Sequence, residues 1–214
     1  MTIDVFADLA CPWCSIGEAY LDAALAVRPG LHVERRWRPF QLQPGLPPEG
    51  VPLRPFFPDK FGGEAAMATA FARVAEAGAR AGVPFAFERM TGVPNTSDAH
   101  RLVLLAQTLG QTWTTARSLY DGYFAEGANL GDPETLVTLA ARGGLPEADA
   151  RALLAGDRFA ADVQASQMLA ARLGVAGVPF VVVDGRVGIS GAQPADAIGV
   201  VLDRVAAERD GAGA

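Results

Sequence analysis

Two cysteines, Cys11 and Cys14, are the residues of this chain best suited to chemistry. They are the only cysteines among 214 residues, and their C-x-x-C spacing lets one sulfur reach the other across a tight loop. A thiolate attacks a disulfide to form a mixed disulfide, which a neighbouring thiol can then displace. We therefore interpret Cys11 as the attacking thiolate and Cys14 as the resolving thiol.

A predicted strand and a predicted helix would position this pair. Residues 2–7 alternate polar with apolar side chains, as a β-strand does. Cys11 would then lie near the N-cap of the following helix, with Pro12 at the first helical position, where a missing N–H costs nothing. Because a helix N-terminus has unpaired N–H groups and a partial positive charge, it favours a thiolate over a thiol. The apolar residues of that helix recur at helical spacing: Ile16, Tyr20, Leu21, Ala24 and Leu25.

Two other uses of such a pair are a zinc half-site and a structural disulfide. Zinc needs two further ligands, and the candidates, His32 and His100, are isolated and distant in sequence. His32 falls on the polar side of a predicted strand, so we interpret it as exposed. A structural disulfide that closes so small a loop would add little stability. The context therefore favours redox chemistry and predicts no metal.

The composition narrows the range of partners. The formal net charge is −6 and there is no long basic run, which argues against nucleic acid or an anionic membrane. No stretch approaches the roughly 20 apolar residues that span a bilayer. The chain enters its first strand without the pattern of a signal peptide, so we expect a cytoplasmic protein. In that reducing compartment a lone C-x-x-C is more often catalytic than structural.

The middle of the chain changes from strands to helices. Residues 31–38 alternate as a second strand, so the opening is β-α-β. Residues 39–58 are rich in proline and predict a linker loop. Capping residues and helical periodicity then predict a run of helices over residues 65–81, 100–109, 112–125, 132–142, 146–155 and 157–173.

Strands return near the end of the chain. Residues 177–183 form a compact β-branched run, Asp184–Gly185 is a favoured type I′ turn, and residues 186–190 supply the partner strand. A final helix is predicted over residues 194–208, followed by a frayed tail at 210–214. The order predicts an α/β protein with a large all-helical insertion between an N-terminal β-α-β unit and a C-terminal β-hairpin-α unit.

Five motifs follow one another along the chain: C-P-W-C-x-I-G at Cys11–Gly17, W-R-P-F-x-L-x-P at Trp37–Pro44, N-T-x-x-A-H-R-L at Asn95–Leu102, G-V-x-G-V-P-F at Gly174–Phe180, and S-G-A-Q-P at Ser190–Pro194. Together they resemble the DsbA family, and more narrowly its FrnE-like branch of thioredoxin-fold oxidoreductases. The resemblance implies a thioredoxin-like domain formed by residues 1–58 and 174–214. It also implies that residues 59–173 are a helical insertion domain.

The resemblance also implies roles for particular residues. Cys11 and Cys14 would be the redox pair, and Val178–Pro179 would be a cis-proline loop that faces it. Proline is the residue that makes a cis peptide bond accessible. The backbone N–H and C=O of Val178 would then pair with an extended peptide or a thiol ligand.

The dipeptide between the cysteines departs from part of that family. The two residues between the cysteines are Pro12 and Trp13 in this chain, whereas the resemblance implies Pro-His in the periplasmic oxidants of the family. We assign Pro12 and Trp13 to substrate binding. A histidine would stabilise the thiolate by its charge and Trp13 does not, so we expect a less oxidising pair. The chain has no second cysteine pair, which excludes an internal electron relay.

Three polar residues near these motifs have two interpretations each. His100 either faces the dithiol from the insertion or lies on the surface, and Asn95 either lines the site or caps a helix. Asp8 precedes the cysteines, but an acid at the end of a strand is usually solvated. The sequence therefore offers no obvious proton acceptor for Cys14.

The leading hypothesis is thiol–disulfide exchange with a disulfide- or dithiol-containing protein or a small thiol, without a bound cofactor and with glutathione as a candidate redox partner. A second hypothesis is a glutathione-using enzyme similar to the kappa-type transferases and chromene-carboxylate isomerases, in which a serine replaces the first cysteine. A third is a non-catalytic peptide-binding module. The direction of exchange stays open.

Overall fold

A mixed four-stranded sheet carries the two ends of the chain. The computed structural model describes residues 1–212 and orders the strands β2-β1-β5-β6. Strand β1 runs parallel to β2, because helix α1 crosses between them, and antiparallel to β5, which forms a hairpin with β6. This is the predicted thioredoxin fold. The bounds are β1 (Thr2–Ala7), α1 (Pro12–Ala26), β2 (Glu34–Pro39), β5 (Phe180–Val183) and β6 (Val187–Ser190).

The alternation of β1 is explained by helices on both faces of the sheet. Ile3 and Val5 belong to the main buried cluster together with apolar residues of α1 and of the last helix, α9 (Ala195–Ala212). Phe6 points the other way and packs with Ala170 of α8 (Ala160–Arg172). Successive side chains of a strand point to opposite faces, so a single strand serves both layers.

Most of the chain between β2 and β5 is helical. One continuous buried cluster joins Trp37 of β2 to Leu102, Leu119 and Leu136 of these helices. The predicted domain limits at residues 58/59 and 173/174 stay a prediction. The remaining helices are α2 (Leu53–Phe61), α3 (Glu64–Ala81), α4 (Ser97–Thr108), α5 (Thr112–Asp121), α6 (Pro133–Arg142) and α7 (Glu147–Leu154), with a 3₁₀ turn at Phe87–Arg89 and a π-helical turn at Gly122–Glu126.

The prediction of a loop over residues 39–58 is wrong in its second half. Strand β3 (Val51–Pro52) pairs with β4 (Gly92–Val93), and α2 starts directly after it. The prolines obscured the helix, because Pro58 lies inside it. Its apolar side chains, Phe57 and Phe61, nevertheless stand one turn apart and pack on each other.

The turn between β5 and β6 agrees with the prediction, whereas the last helix ends later than predicted. Asp184 and Gly185 both have positive φ, at 49° and 65°, and the N–H of Arg186 donates to the carbonyl of Val183, as in the predicted type I′ turn. Helix α9 reaches Ala212, past the predicted end at residue 208. Residues 213–214 of the predicted frayed tail lie outside the described residues. None of the helices in the described part of the chain is long and apolar enough to cross a bilayer.

Candidate active site

The dithiol lies in the turn between β1 and α1, as predicted. Cys11 is the N-cap of α1 in extended conformation, and Pro12 is the first helical residue. The N–H of Cys11 donates to the carbonyl of Asp8, and the N–H of Cys14 donates to the carbonyl of Cys11, each at 3.0 Å. No side chain caps this helix among the described residues. Pro12 has no N–H and the N–H of Cys14 is already bonded, so the N–H of Trp13 and the partial positive charge of the helix N-terminus are what remain to stabilise a negative charge on Cys11.

Both sulfurs are free thiols and both are buried. Cys11 is 4 % exposed and Cys14 is 2 % exposed. Burial raises the pKa of the Cys14 thiol well above its ordinary value, and the hydrogen bond and charge of the adjacent Cys11 sulfur raise it further. Cys14 is therefore protonated at neutral pH. It needs a proton acceptor before it can attack.

The Val178–Pro179 peptide bond is cis, as predicted from the resemblance. The Cys11 thiol donates to the carbonyl of Val178, with 3.6 Å between sulfur and oxygen. Helix α1 approaches this loop closely at Gly17, where a Cβ atom would stand 2.9 Å from Cγ of Pro179. The glycine of the C-P-W-C-x-I-G motif thus lets the helix and the loop meet beside the thiol.

Asp8 is buried, which contradicts the expectation of a solvated acid. One carboxylate oxygen accepts from the N–H of Leu42 at 2.7 Å, and the other accepts from the N–H of Ala10 at 3.3 Å. The charge of Asp8 contributes to the raised pKa of Cys14. Asp8 is therefore an acid held next to the dithiol by the loop after β2.

His100 is fully buried, so the interpretation as a surface residue is wrong. Its Nδ1 accepts from the indole N–H of Trp37 at 3.2 Å, which leaves the proton on Nε2. That Nε2 lies 3.4 Å from a carboxylate oxygen of Asp8 and has no hydrogen-bond partner of good geometry in the described part of the chain. Asp8 thus separates His100 from the two thiols.

Asn95 holds a loop and the start of a helix together. Its side-chain oxygen accepts from the N–H of Ser97, and its side-chain N–H donates to the carbonyl of Leu46 at 2.7 Å. The N-cap of α4 is Thr96, so Asn95 stands one position before the observed cap and is not itself the N-cap residue. Asn95 is absent from the lining of the cavity beside Cys11 and lines a separate one.

Pro12 and Trp13 line an apolar cavity that also contains Cys11. Trp13 is the more accessible of the two, with 40 % of its surface exposed. Both residues therefore border the approach to Cys11, where the sequence analysis expected substrate.

Two buried titratable residues were missed by the sequence analysis. Tyr120 of α5 donates its hydroxyl to the carbonyl of Asp8 at 3.3 Å, and burial raises its pKa well above the ordinary value. Burial also raises the pKa of Glu18 to about 8, against the opposing effect of Arg117, whose Nη2 lies 3.6 Å away. Glu18 follows Cys14 by four residues, and that spacing was the available signal, because it places both on one helix face. Nothing local pointed to Tyr120.

No metal centre accompanies these groups within residues 1–212. No set of three or more histidine, cysteine, aspartate or glutamate side chains there could hold an ion. The chemistry that the arrangement supports is that of the two sulfurs and the buried acid next to them.

Comparison with known proteins places this geometry in a family. The model of the DSBA-like thioredoxin domain matches residues 2–202, and the chain belongs to that family. A solved structure of a probable DsbA oxidoreductase from Streptomyces coelicolor is 34 % identical, with a TM-score of 0.89 over 97 % of this chain and 91 % of that one.

Two further solved structures share this fold. The cytosolic disulfide reductase DsbM from Pseudomonas aeruginosa, solved with GSH, is 26 % identical, with a TM-score of 0.67 over 95 % of this chain and 98 % of that one. A 2-hydroxychromene-2-carboxylate isomerase is 14 % identical, with a TM-score of 0.71 and 98 % of each chain covered. At that identity the isomerase shares the fold alone. The chain thus has the fold of DsbA-like thiol–disulfide oxidoreductases.

Proposed function

We propose that this protein is a thiol–disulfide oxidoreductase of the FrnE-like type, with Cys11 as nucleophile and Cys14 as resolving thiol. The observation that carries the proposal is the position of Cys11, which caps α1 and lies 3.6 Å from the carbonyl before cis-Pro179. A helix N-terminus stabilises the thiolate, and the Val178 backbone offers a partner to substrate once the thiol proton has left.

The reaction consists of two displacements. The Cys11 thiolate attacks one sulfur of a substrate disulfide, the substrate S–S bond breaks, and the first substrate thiolate leaves with a proton from solvent. Cys14 then loses its proton, attacks the Cys11 sulfur and releases the second substrate thiol. The substrate gains two electrons and the enzyme is left with a Cys11–Cys14 disulfide.

Asp8 is the group we assign as acceptor of the Cys14 proton. It is the carboxylate whose charge acts on Cys14, and the backbone N–H groups of Ala10 and Leu42 fix its position. His100 faces the same carboxylate from behind and is a positioning residue. Since Cys14 is protonated in the resting state, the second displacement depends on this transfer.

We assign the physiological direction as disulfide reduction in the cytoplasm, with glutathione as the reductant. Two glutathione thiols would return the enzyme disulfide to the dithiol and leave as glutathione disulfide. The support is the likeness to a cytosolic disulfide reductase that was solved with GSH, together with a motif that has Trp13 where the oxidants have histidine.

The test uses three proteins, the wild type, Cys11→Ser and Cys14→Ser, with 2-hydroxyethyl disulfide as substrate and glutathione turnover as the readout. We expect activity in the wild type and background rates in Cys11→Ser. With limiting thiol, Cys14→Ser should accumulate a mixed disulfide on Cys11, which intact mass spectrometry detects. Full activity of Cys11→Ser would overturn the proposal in favour of a serine-type glutathione enzyme, and peptide binding without turnover by the wild type would favour the non-catalytic module.

The raised pKa of Cys14 gives a second, independent readout. At neutral pH iodoacetamide should modify Cys11 and leave Cys14 unmodified, because only the thiolate reacts. In Cys11→Ser, labelling of Cys14 should begin only at clearly alkaline pH. Labelling of Cys14 before Cys11 in the wild type would contradict the assigned roles.

A further inference from the structure

A cavity of about 440 Å³ lies beside Cys11, between the start of α1 and the helical insertion. Its walls are mainly aromatic rings from separate elements. Phe57 of α2 stands edge-on to Phe71 of α3 at 5.5 Å, and Phe71 stacks on Phe87 at 4.5 Å between ring centroids. The volume falls in the range of small-molecule sites, and such a lining favours an apolar, flat ligand group.

Two cationic side chains belong to this mainly apolar lining, which also includes the polar Gln43. Lys60 and Arg73 are its only charged residues in the described part of the chain, and both are exposed, so they lie at the mouth. Neither forms an ion pair with any residue between 1 and 212, whereas most exposed arginines of this chain pair with an acid. The protein as a whole has a net charge of −6. The mouth of the cavity is thus a local site for an anionic group.

The burial of Cys11 limits what can bring a disulfide to it. Only 4 % of the residue is exposed, and the cavity is the space that it lines. The cavity, at about 440 Å³, has the volume of a small-molecule site. A small disulfide can enter the cavity itself.

We infer that the cavity is the substrate site for low-molecular-weight disulfides that carry an aryl group and a carboxylate. The inference rests on the proposed function and names its substrate class. The aryl group lies among the phenylalanine rings, the carboxylate pairs with Lys60 and Arg73, and the disulfide meets Cys11. Cys11 displaces one aryl thiolate, Cys14 displaces the other, and glutathione returns the two electrons as above.

The first experiment measures binding without any redox step. The probe is 2-naphthoate, an aryl carboxylate with no sulfur, titrated into the reduced wild-type protein by calorimetry. Ala70→Leu puts a larger side chain into the cavity and should weaken binding at least tenfold. Arg73→Gln should weaken it about two- to fivefold, as expected for a partly exposed ion pair.

Matched controls come from the same helix. Ala72 and Arg80 lie on α3 outside the cavity lining, so Ala72→Leu and Arg80→Gln should bind 2-naphthoate as the wild type does. Equal binding by Ala70→Leu and Ala72→Leu, or no binding by the wild type, overturns the inference. In the second case an aromatic segment of a protein substrate becomes the occupant to test.

The second experiment separates this inference from the proposed function. The reduced proteins react in single turnover with 5,5′-dithiobis(2-nitrobenzoate), an aryl carboxylate disulfide, and with 2-hydroxyethyl disulfide, which has neither group. Ala70→Leu should slow the aryl reaction at least tenfold and slow the reaction of 2-hydroxyethyl disulfide clearly less, because the smaller compound has no aryl group to place among the rings. Ala72→Leu should leave both rates as in the wild type, and circular dichroism checks that Ala70→Leu is folded. Equal effects on both substrates would rule out the inferred substrate class but not the proposed function. Failure of the wild type to reduce either disulfide would rule out the proposed function. If Ala70→Leu does not fold, Arg73→Gln against Arg80→Gln decides on the same two substrates.

Discussion

Glu18 stands on the dithiol face of α1, one turn beyond Cys14, and 4 % of it is exposed. Its Oε2 has no hydrogen-bond partner among the described residues, and burial raises its pKa from 4.5 to about 8. A carboxyl whose folded-state pKa is raised stabilises the fold below its unfolded pKa, and that stability is lost as pH rises through the folded value. The wild type should therefore lose stability between about pH 4.5 and pH 8.

The variant Glu18→Gln keeps the shape of the protonated acid and cannot ionise. We expect it to match the wild type at pH 5 and to exceed it at pH 9 by on the order of a few kcal/mol, measured by urea unfolding at each pH. Asp22→Asn, on the same helix and partly exposed, is the matched control. Parallel pH profiles for Glu18→Gln and the wild type would show that Glu18 is charged in the fold.

Helix α1 and the cis-proline loop are separate elements that approach each other closely at Gly17. In an ordinary helix interior, alanine is more stable than glycine by roughly 0.5–1 kcal/mol. At Gly17 the added methyl would stand 2.9 Å from the ring of Pro179, and a proline ring cannot swing away. Gly17→Ala should therefore destabilise the protein and shift the loop away from Cys11.

The measurement pairs urea unfolding with the rate of Cys11 alkylation at neutral pH. We expect a lower unfolding midpoint and an altered alkylation rate in Gly17→Ala. The control is Ala23→Gly, at an exposed position of the same helix. It measures the difference in helix stability between alanine and glycine, and it should leave the Cys11 alkylation rate unchanged. A gain in stability for Gly17→Ala would mean that the contact with Pro179 is loose.

Arg101 joins three segments of the helical middle of the chain. This buried arginine of α4 donates to the carbonyl of Leu153 at the end of α7 and to those of Gly156 and Arg158 in the connection between α7 and α8, and it pairs with Asp98 of its own helix. Arg101→Leu would leave these carbonyls buried without a donor, so we expect a loss of about 2–5 kcal/mol in unfolding free energy. Arg101→Lys should recover only part of it, because an ammonium cannot span the same acceptors.

The control for Arg101 is Arg151→Leu, an exposed arginine of α7 paired with Glu134 and Glu147. Its effect should stay within about 0.5 kcal/mol. Thermal unfolding of both variants, with Cys11 alkylation as a check on the native state, provides the comparison. An equal, small effect at Arg101 would show that water replaces the guanidinium in this connection.

The sequence predicts those parts of the fold and of the site whose conformation depends on residues close by in the chain. Cys11 and Pro12 read as a helix start because capping is local, and Asp184–Gly185 read as a turn because their backbone conformation is local. The sequence predicted a solvated Asp8 and left the position of His100 open, because the burial of these residues depends on contacts between segments that lie far apart in sequence. The family resemblance supplied the cis bond before Pro179; periodicity alone favours a trans proline at a strand start.

The phenylalanine side of the cavity beside Cys11 comes from a different stretch of the chain than the two sulfurs. Residues 11–14 and 178–179 carry the two thiols and the carbonyl that Cys11 contacts, whereas Phe57, Phe71 and Phe87 come from a stretch inserted between the two halves of the sheet. If the cavity selects the substrate as inferred above, substitutions among these phenylalanines would change which disulfides bind and leave the dithiol itself unaltered. Relatives with an identical dithiol could then differ in substrate mainly through residues 53–93.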